Sequence, residues 1–492
     1  MKTFSRRGFL TASAAMLAAS QFPTRAHAQQ APSLGLSAAS RTLDINGRAA
    51  TVFGLAGPEG QGLTLDPGQH FRVDLTNELE VPTIVHWHGQ IPPNAQDGVP
   101  DMPQPLLTPG ETRSFDFAPL PGTHWMHSHV PMQEMQLLAA PLIVRRPEDV
   151  AADRQEAVLF LHDFSFKAPE EVMEEILRGH GGKHGNGDAD ATPGMDHSGM
   201  DHGAGAMGDM SDNMGSMDMS AMDLNDYDWD AYLANDRTLS DPEIVQVEKG
   251  GRVRLRIING ASATVFWIDT GAVEGRLVAV DGHEVQPVAG SRFGVAMGQR
   301  LDIEIDLPNE GGAWPVLARR EGARERTGIV LVTSGAAVKK ISSLAETEAP
   351  AFDIDLGQEA RLRAIDTLPA READRTHMVM LGGSMQPYVW TIDGATWGRH
   401  RPIQATSGQR VELMFHNMSM MGHPMHLHGH AFQVVGINNR RFAGARRDTV
   451  YVPPMSMVTV ALDAGEAANW MLHCHHMPHL ESGMMTEFRV TA

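Results

Sequence analysis

The 492-residue chain has one cysteine, Cys474, so it forms no disulfide within itself. The thiol is left with three roles: a buried bystander, a link to another chain, or a ligand. Basic residues are also scarce, 40 Lys and Arg against 60 Asp and Glu, for a formal net charge of −20. An acidic surface repels polynucleotides, which argues against nucleic-acid partners. Beyond the N-terminus no apolar stretch approaches the ~20 residues that a spanning helix needs, so no stable membrane anchor is expected. Long helical patterns are few, and short alternating runs bounded by Gly, Pro, Asn and Asp take their place.

The N-terminus carries a pattern of its own. Arg6 and Arg7 precede an apolar run from Phe9 to Ala19, and small residues stand at Ala26 and Ala28. The run is too short for a bilayer anchor and reads as a cleaved signal over residues 1–28, recognised by the twin-arginine export machinery. The mature chain is then expected in the periplasm. Cleavage removes four basic residues, Lys2, Arg6, Arg7 and Arg25, and moves the formal charge from −20 to −24.

One pattern recurs three times: GQHFRVDLTN (Gly68 to Asn77), GGRVRLRIIN (Gly250 to Asn259) and GQRVELMFHN (Gly408 to Asn417). Apolar residues alternate between the glycine and the asparagine, as in Phe71, Val73, Leu75 and in Val411, Leu413, Phe415. This is the period-two signature of a half-buried strand. So wide a spacing marks repeated domains rather than a solenoid. It predicts an all-β chain of three β-sandwiches at about 29–150, 151–340 and 341–492. One helix is predicted at Pro169 to His180, with proline and acidic residues in its first turn.

The middle domain carries a methionine-rich insert at about 181–226. Its core, Gly194 to Asp223, has eight methionines and no aliphatic residue larger than alanine. Such a stretch buries too little surface to order itself, so a mobile loop is expected.

Four histidine pairs are separated by one residue each: His86 and His88, His127 and His129, His426 and His428, His473 and His475. Residues i and i+2 of a strand share a face, so each pair presents two imidazoles to one site. If His473 and His475 point one way, Cys474 points the other, and one tripeptide serves two metal centres. On the cysteine's side the stretch offers His479 and Met484, and His423 precedes the third pair. Two imidazoles, one thiolate and a weak thioether describe a blue-copper electron-transfer site. A zinc site would use more thiolates or a carboxylate, and there is no second cysteine.

The motifs HWHG, HSH, HPMHLHGH and HCHHMPHLESGMM together resemble the four copper motifs of the multicopper oxidases, the family of laccases, ascorbate oxidase and bacterial cuprous oxidases. The resemblance runs over most of the mature chain and implies three cupredoxin-like Greek-key domains and four copper ions. It implies a type 1 copper held by His423, Cys474, His479 and axial Met484. A type 2 copper would take His86 and His426. A type 3 pair would take His88, His127, His129, His428, His473 and His475, so the cluster would lie between the first and third domains, with the middle domain a spacer. Asp97 matches the family's acidic residue after the first motif and is the candidate for supplying protons to dioxygen, although Asp97-Gly98 would also suit a turn. A second acid found in some relatives after the last type 1 histidine is replaced by Leu480, with Glu481 next. Asp448 is read as a hydrogen-bonding support and His283 as structural.

Cu(I) favours thioethers. Met418, Met420, Met421 and Met425 surround His423, Met477, Met484 and Met485 follow Cys474, and MDHSGMDHG resembles the copper-binding repeats of periplasmic copper-resistance oxidases. Some of these methionines are core packing. The expected activity is oxidation of Cu(I), with phenolic and aromatic donors as alternatives, coupled to reduction of dioxygen to water, in copper tolerance. The insert would bind additional copper. The alternatives are a laccase with an organic substrate, a non-catalytic copper-buffering protein, and a copper nitrite reductase, which would lack the type 3 set.

Overall fold

The computed structural model describes residues 32–179, 224–352 and 355–492. The N-terminal signal and the Gly194 to Asp223 stretch lie outside them.

The three repeated segments form the strands Phe71–Asn77, Arg252–Asn259 and Arg410–Asn417. Each runs parallel to the first long strand of its domain: Leu34–Ile45, Gln155–Phe164 and Arg375–Met385. Each pairs antiparallel on its other side with Thr112–Phe117, Arg300–Asp306 and Met457–Asp463. The alternating residues Phe71, Val73, Leu75, Val411, Leu413 and Phe415 are fully buried. Each such side chain contributes about 1.5–3 kcal/mol on removal from water.

The asparagine that closes each repeat is fully buried and does the same work three times. Its amide donates to carbonyls of the following loop and of a neighbouring segment. Asn77 donates to Val81 and Leu107, Asn259 to Thr264 and Val295, and Asn417 to Met421, Val452 and Pro453. Its carbonyl accepts an N–H two residues on, from Leu79, Ala261 and Ser419. In the first and third domains the loop so fixed leads into a histidine-bearing strand.

Among the described residues six sheets result, two per sandwich. In the first domain the second sheet orders Leu63–Leu65, Ala139–Val144, Gly122–Ser128 and Val85–His88. In the third it orders Ile403–Thr406, Met485–Thr491, Asn469–Cys474, His423–Leu427 and Thr449–Val452. These two sheets carry the histidine pairs. The first domain has its own core around Phe71, Trp87, Phe115 and Met126, whereas one continuous core runs through the middle and third domains and includes Cys474 and Met484.

The predicted helix spans Pro169–Leu177 and stops three residues short of His180, because Gly179 takes a left-handed conformation at φ 76°. The middle domain is more than a spacer: its Arg300 and Gly298 reach the histidine-bearing strands. Asn77→Ala removes the bonds to the Val81 and Leu107 carbonyls and leaves the buried Leu79 N–H without its acceptor, and is expected to cost about 1–3 kcal/mol, measured by chemical denaturation. An unchanged midpoint would contradict the role given to the repeated asparagine.

Candidate metal centre

Antiparallel register sets the geometry. His86 lies opposite His127 in the first domain, and His426 opposite His473 in the third. His88, His129, His428 and His475 complete a group of eight buried imidazoles where the two sheets meet.

Hydrogen bonds decide which nitrogen of each ring is free. Nδ1 of His86 donates to the Asp97 carbonyl (2.8 Å), that of His426 to the Asp448 carbonyl (2.9 Å), and that of His473 to the Cys474 carbonyl (3.0 Å). His428 Nδ1 donates to Asp97 Oδ2 at 2.9 Å and His127 Nδ1 to the Ser128 carbonyl at 3.0 Å. In each ring Nε2 is left bare. These bare atoms face one another: His86 and His426 at 3.4 Å, and His428 and His473 at 3.1 Å; His129 Nε2 lies 3.3 Å from His428 Nε2. Lone pairs at such distances repel unless a cation lies between them. Two nitrogens ~2.0–2.1 Å from one metal at a tetrahedral angle stand about 3.3 Å apart, so the observed spacings would fit a shared metal ion.

His88 is turned the other way. Its Nε2 donates to Asp448 Oδ1 at 3.0 Å, with Thr449 Oγ1 at 3.1 Å, which leaves Nδ1 bare. Nδ1 of His88 and Nε2 of His127 and His475 are buried without partners, and the three rings lie 5.0–5.6 Å apart. Burial pushes His88, His127, His129, His428, His473 and His475 well below the ordinary imidazole value, and neighbouring imidazoles add to the effect at all six. Neutral rings are what a metal requires.

Three buried carboxylates support the group. Asp97, expected as the proton source, follows a short turn at Asn94–Gln96 and bonds His428 through its side chain and His86 through its carbonyl. Asp448 is the support the sequence suggested. Burial alone would raise its carboxyl, but the Arg300 guanidinium holds it well below the usual range. Glu134 was not anticipated. It lies on the helix Pro131–Met135, five residues past His129, with Oε2 3.2 Å from His127 Nδ1 and Oε1 3.9 Å from His475 Nδ1. Burial pushes its carboxyl up to about 8, an effect His86 partly offsets.

On the opposite side of the strand, His423, Cys474 and His479 form a separate buried set. Cys474 Sγ is 3.7 Å from Nδ1 of each histidine, and the two Nδ1 atoms are 3.2 Å apart. The Ser419 hydroxyl, 2.8 Å from His423 Nε2, has acceptors for its own proton in Asn417 and Met421, so it receives the ring N–H and leaves Nδ1 bare. Met484 is fully buried, and its carbonyl accepts the Cys474 N–H at 3.1 Å. Burial raises the Cys474 thiol above its ordinary value, so a thiolate here needs a bound cation. Two soft-to-borderline nitrogens, a thiolate and a thioether suit copper. The Trp390 ring packs 4.1 Å from that of His479. On the outer side of His479, Asp226 Oδ2 lies 3.5 Å from Nε2 and 3.6 Å from His476 Nε2, and it accepts the Tyr388 hydroxyl.

In copper-free protein, Glu134 makes stability fall as pH rises from about 4.5 toward 8, because the unfolded carboxyl ionises there while the buried one keeps its proton. Glu134→Gln is expected to remove that contribution, so the Tm of the variant rises relative to that of the wild type as pH goes from about 4.5 toward 8. Buried Glu321, also raised to about 8, and the depressed histidines, which act in the opposite sense, are common to both proteins and drop out of the comparison. Superimposable wild-type and variant profiles would contradict the assignment.

Comparison with known proteins gives a consistent result. Three sequence profiles described as multicopper oxidase match residues 371–492, 45–149 and 179–340. The multicopper oxidase MmcO of Mycobacterium tuberculosis is 30% identical over 99% of this chain and 96% of its own length. Copper resistance protein A of Escherichia coli is 24% identical over 90% of this chain and 89% of its own. The crystal structure of a multicopper oxidase from Pseudomonas thermotolerans shares the fold with a TM-score of 0.66 and 24% identity, covering 93% of this chain and 98% of that one. The chain belongs to the multicopper oxidase family, copper-dependent oxidoreductases that use oxygen as acceptor.

Proposed function

We propose that the protein is an exported, periplasmic oxidase that couples one-electron oxidation of Cu(I), with phenols as alternative donors, to four-electron reduction of dioxygen to water. In this reading His423, Cys474, His479 and Met484 hold a type 1 copper and His86 with His426 a type 2 copper. His129, His428 and His473 hold one member of a type 3 pair, and His88, His127 and His475 the other. When bound, the copper ions would supply one-electron redox chemistry at the first site and deliver electrons to dioxygen at the cluster. The observation that carries the reading is the tripeptide His473-Cys474-His475, whose side chains belong to both donor sets.

The protein's own residues have distinct tasks. The backbone on either side of Cys474 provides a covalent route between the sets. Asp97 and Glu134 offer carboxyl groups beside the cluster histidines, where four protons are consumed per dioxygen. The buried, apolar surroundings of Cys474 and Met484 exclude water from the electron-accepting site.

Cu(I) as donor is supported by the outer face of His479. Asp226 stands there, three residues beyond the methionine-rich stretch. The residues that bracket residues 180–223 both lie against the third domain: Gly179 near Gln386, and Leu224 in a cavity with Met420, Met421, Tyr451 and His476. That cavity encloses about 20 Å³, enough for one ion or water and too little for a phenol ring. Met418 and Met420 are exposed beside it. Relatives named copper resistance protein A accord with a role in copper tolerance. Export rests on the twin-arginine pattern; no helix among the described residues is long and apolar enough to cross a membrane.

Oxygen uptake by copper-loaded protein tests the substrate. Deleting Gly194 to Asp223 is expected to lower Cu(I)-driven uptake and to leave phenol-driven uptake equal or higher. Asp226→Asn is expected to lower kcat/KM for Cu(I) by about tenfold, the low end of losses on removing a carboxylate next to a metal ligand. Brisk phenol turnover with slow Cu(I) turnover in the intact protein would instead favour a laccase. Cys474→Ser is expected to lose the blue colour and the uptake while remaining folded, and retained blue absorption would refute its role.

A further inference from the structure

The middle domain supplies none of the proposed copper ligands, yet its turn Met297 to Arg300 enters the centre of the molecule. The Arg300 side chain is fully buried and bonded to all three domains. Nη1 donates to Asp448 Oδ1 at 2.7 Å and to the Gly298 carbonyl at 2.9 Å, Nη2 donates to Asp448 Oδ2, and Nε donates to the Thr123 carbonyl at 3.2 Å. Thr123 is on the strand that carries His127, and Asp448 precedes the strand beside His426. The preceding residue of the turn, Gln299, donates to the Thr449 carbonyl at 3.2 Å.

Two glycines are needed for this approach. A Cβ on Gly89, directly after His88, would lie 2.4 Å from Arg300 Nη2. A Cβ on Gly298 would lie 2.7 Å from the His475 ring and 3.2 Å from that of His88. Both take positive φ, 88° and 77°, so any other residue would add backbone strain to the clash. The glycine of HWHG thus has a packing reason that involves another domain.

The consequence for His88 is specific. Asp448 Oδ1 receives Arg300 Nη1 and the His88 Nε2 proton together. A carboxylate gripped by both ends of a guanidinium fork has one orientation, and it sets both the rotation of the His88 ring and the nitrogen that keeps the proton. His88 is the ring that faces the cluster through Nδ1, so a freed carboxylate would allow the ring to turn the wrong atom inward.

We propose that Arg300 is a positioning residue for the coupled copper pair: through Asp448 it holds His88 with Nδ1 toward the metal. The inference rests on the type 3 ligand set proposed above. Lysine keeps the charge but lacks the fork, so Arg300→Lys and Arg300→Met are both informative. In copper-loaded protein, both variants are expected to keep the blue absorption of the Cys474 site. Both are expected to lose most of the near-ultraviolet band of the coupled pair, and to release copper to a chelator about 10- to 100-fold faster, in the order Met worse than Lys. Asp448→Asn is expected to reproduce the defect, and combined with Arg300→Met to add little to it. If Arg300→Met loses the blue band through misfolding, the lysine and asparagine variants decide. An intact near-ultraviolet band with only a lowered Tm in them would overturn the proposal and leave Arg300 a structural residue. A wild-type protein that binds copper without a near-ultraviolet band would overturn the ligand reading instead.

Discussion

Repulsion between bare imidazole nitrogens is the constraint on which the structure depends. Nε2 atoms of rings whose Nδ1 protons are committed elsewhere are held 3.1–3.4 Å apart. An arrangement of this kind is unfavourable in itself, and the fold imposes it. Two antiparallel registers, His86 against His127 and His426 against His473, bring the pairs together across a domain interface. Buried carbonyls and carboxylates then fix each ring. The strain is relieved by a cation, which makes metal binding a stabilising part of the native state.

The same constraint explains why three domains are used. Each sandwich closes its own sheets through the repeated strand and its terminal asparagine, while the middle and third share one continuous core. The cluster, however, takes rings from the first domain, rings from the third, and through Arg300 a clamp from the second. Arg447 extends the buried network by bonding Asp281 and Glu359, and the Arg300 N–H is bonded to Asp281. Buried charge of this density is costly unless every member is paired, so the interface tolerates few alternative packings.

Much of this was legible in the sequence for a simple reason. Strand periodicity maps i and i+2 onto one face, so the histidine pairs and the opposed placement of Cys474 could be read directly. The repeated Gly-to-Asn segments likewise announced three all-β units. What could not be read were partners brought from distant segments. Arg300 meets Asp448 across 148 positions, and His88 meets it across 360. Asp226 had a faint signal, as the acid at the end of the methionine-rich stretch. Glu134 had one too, as an acid in a proline-started turn after His129, in a chain that lacks the acid after His479. The Pro169 helix was placed correctly at its start, where proline and acids act locally, and overrun at its end, where Gly179 stops it.

Anomalous diffraction at the copper edge from crystals of the copper-loaded protein tests the central claim most directly. The account predicts four copper positions: one among His423, Cys474, His479 and Met484, one between His86 and His426, and two within the remaining six histidines, with His88 bound through Nδ1. Copper at the cysteine site alone, with the eight-histidine group still metal-free and its rings unmoved, would contradict it.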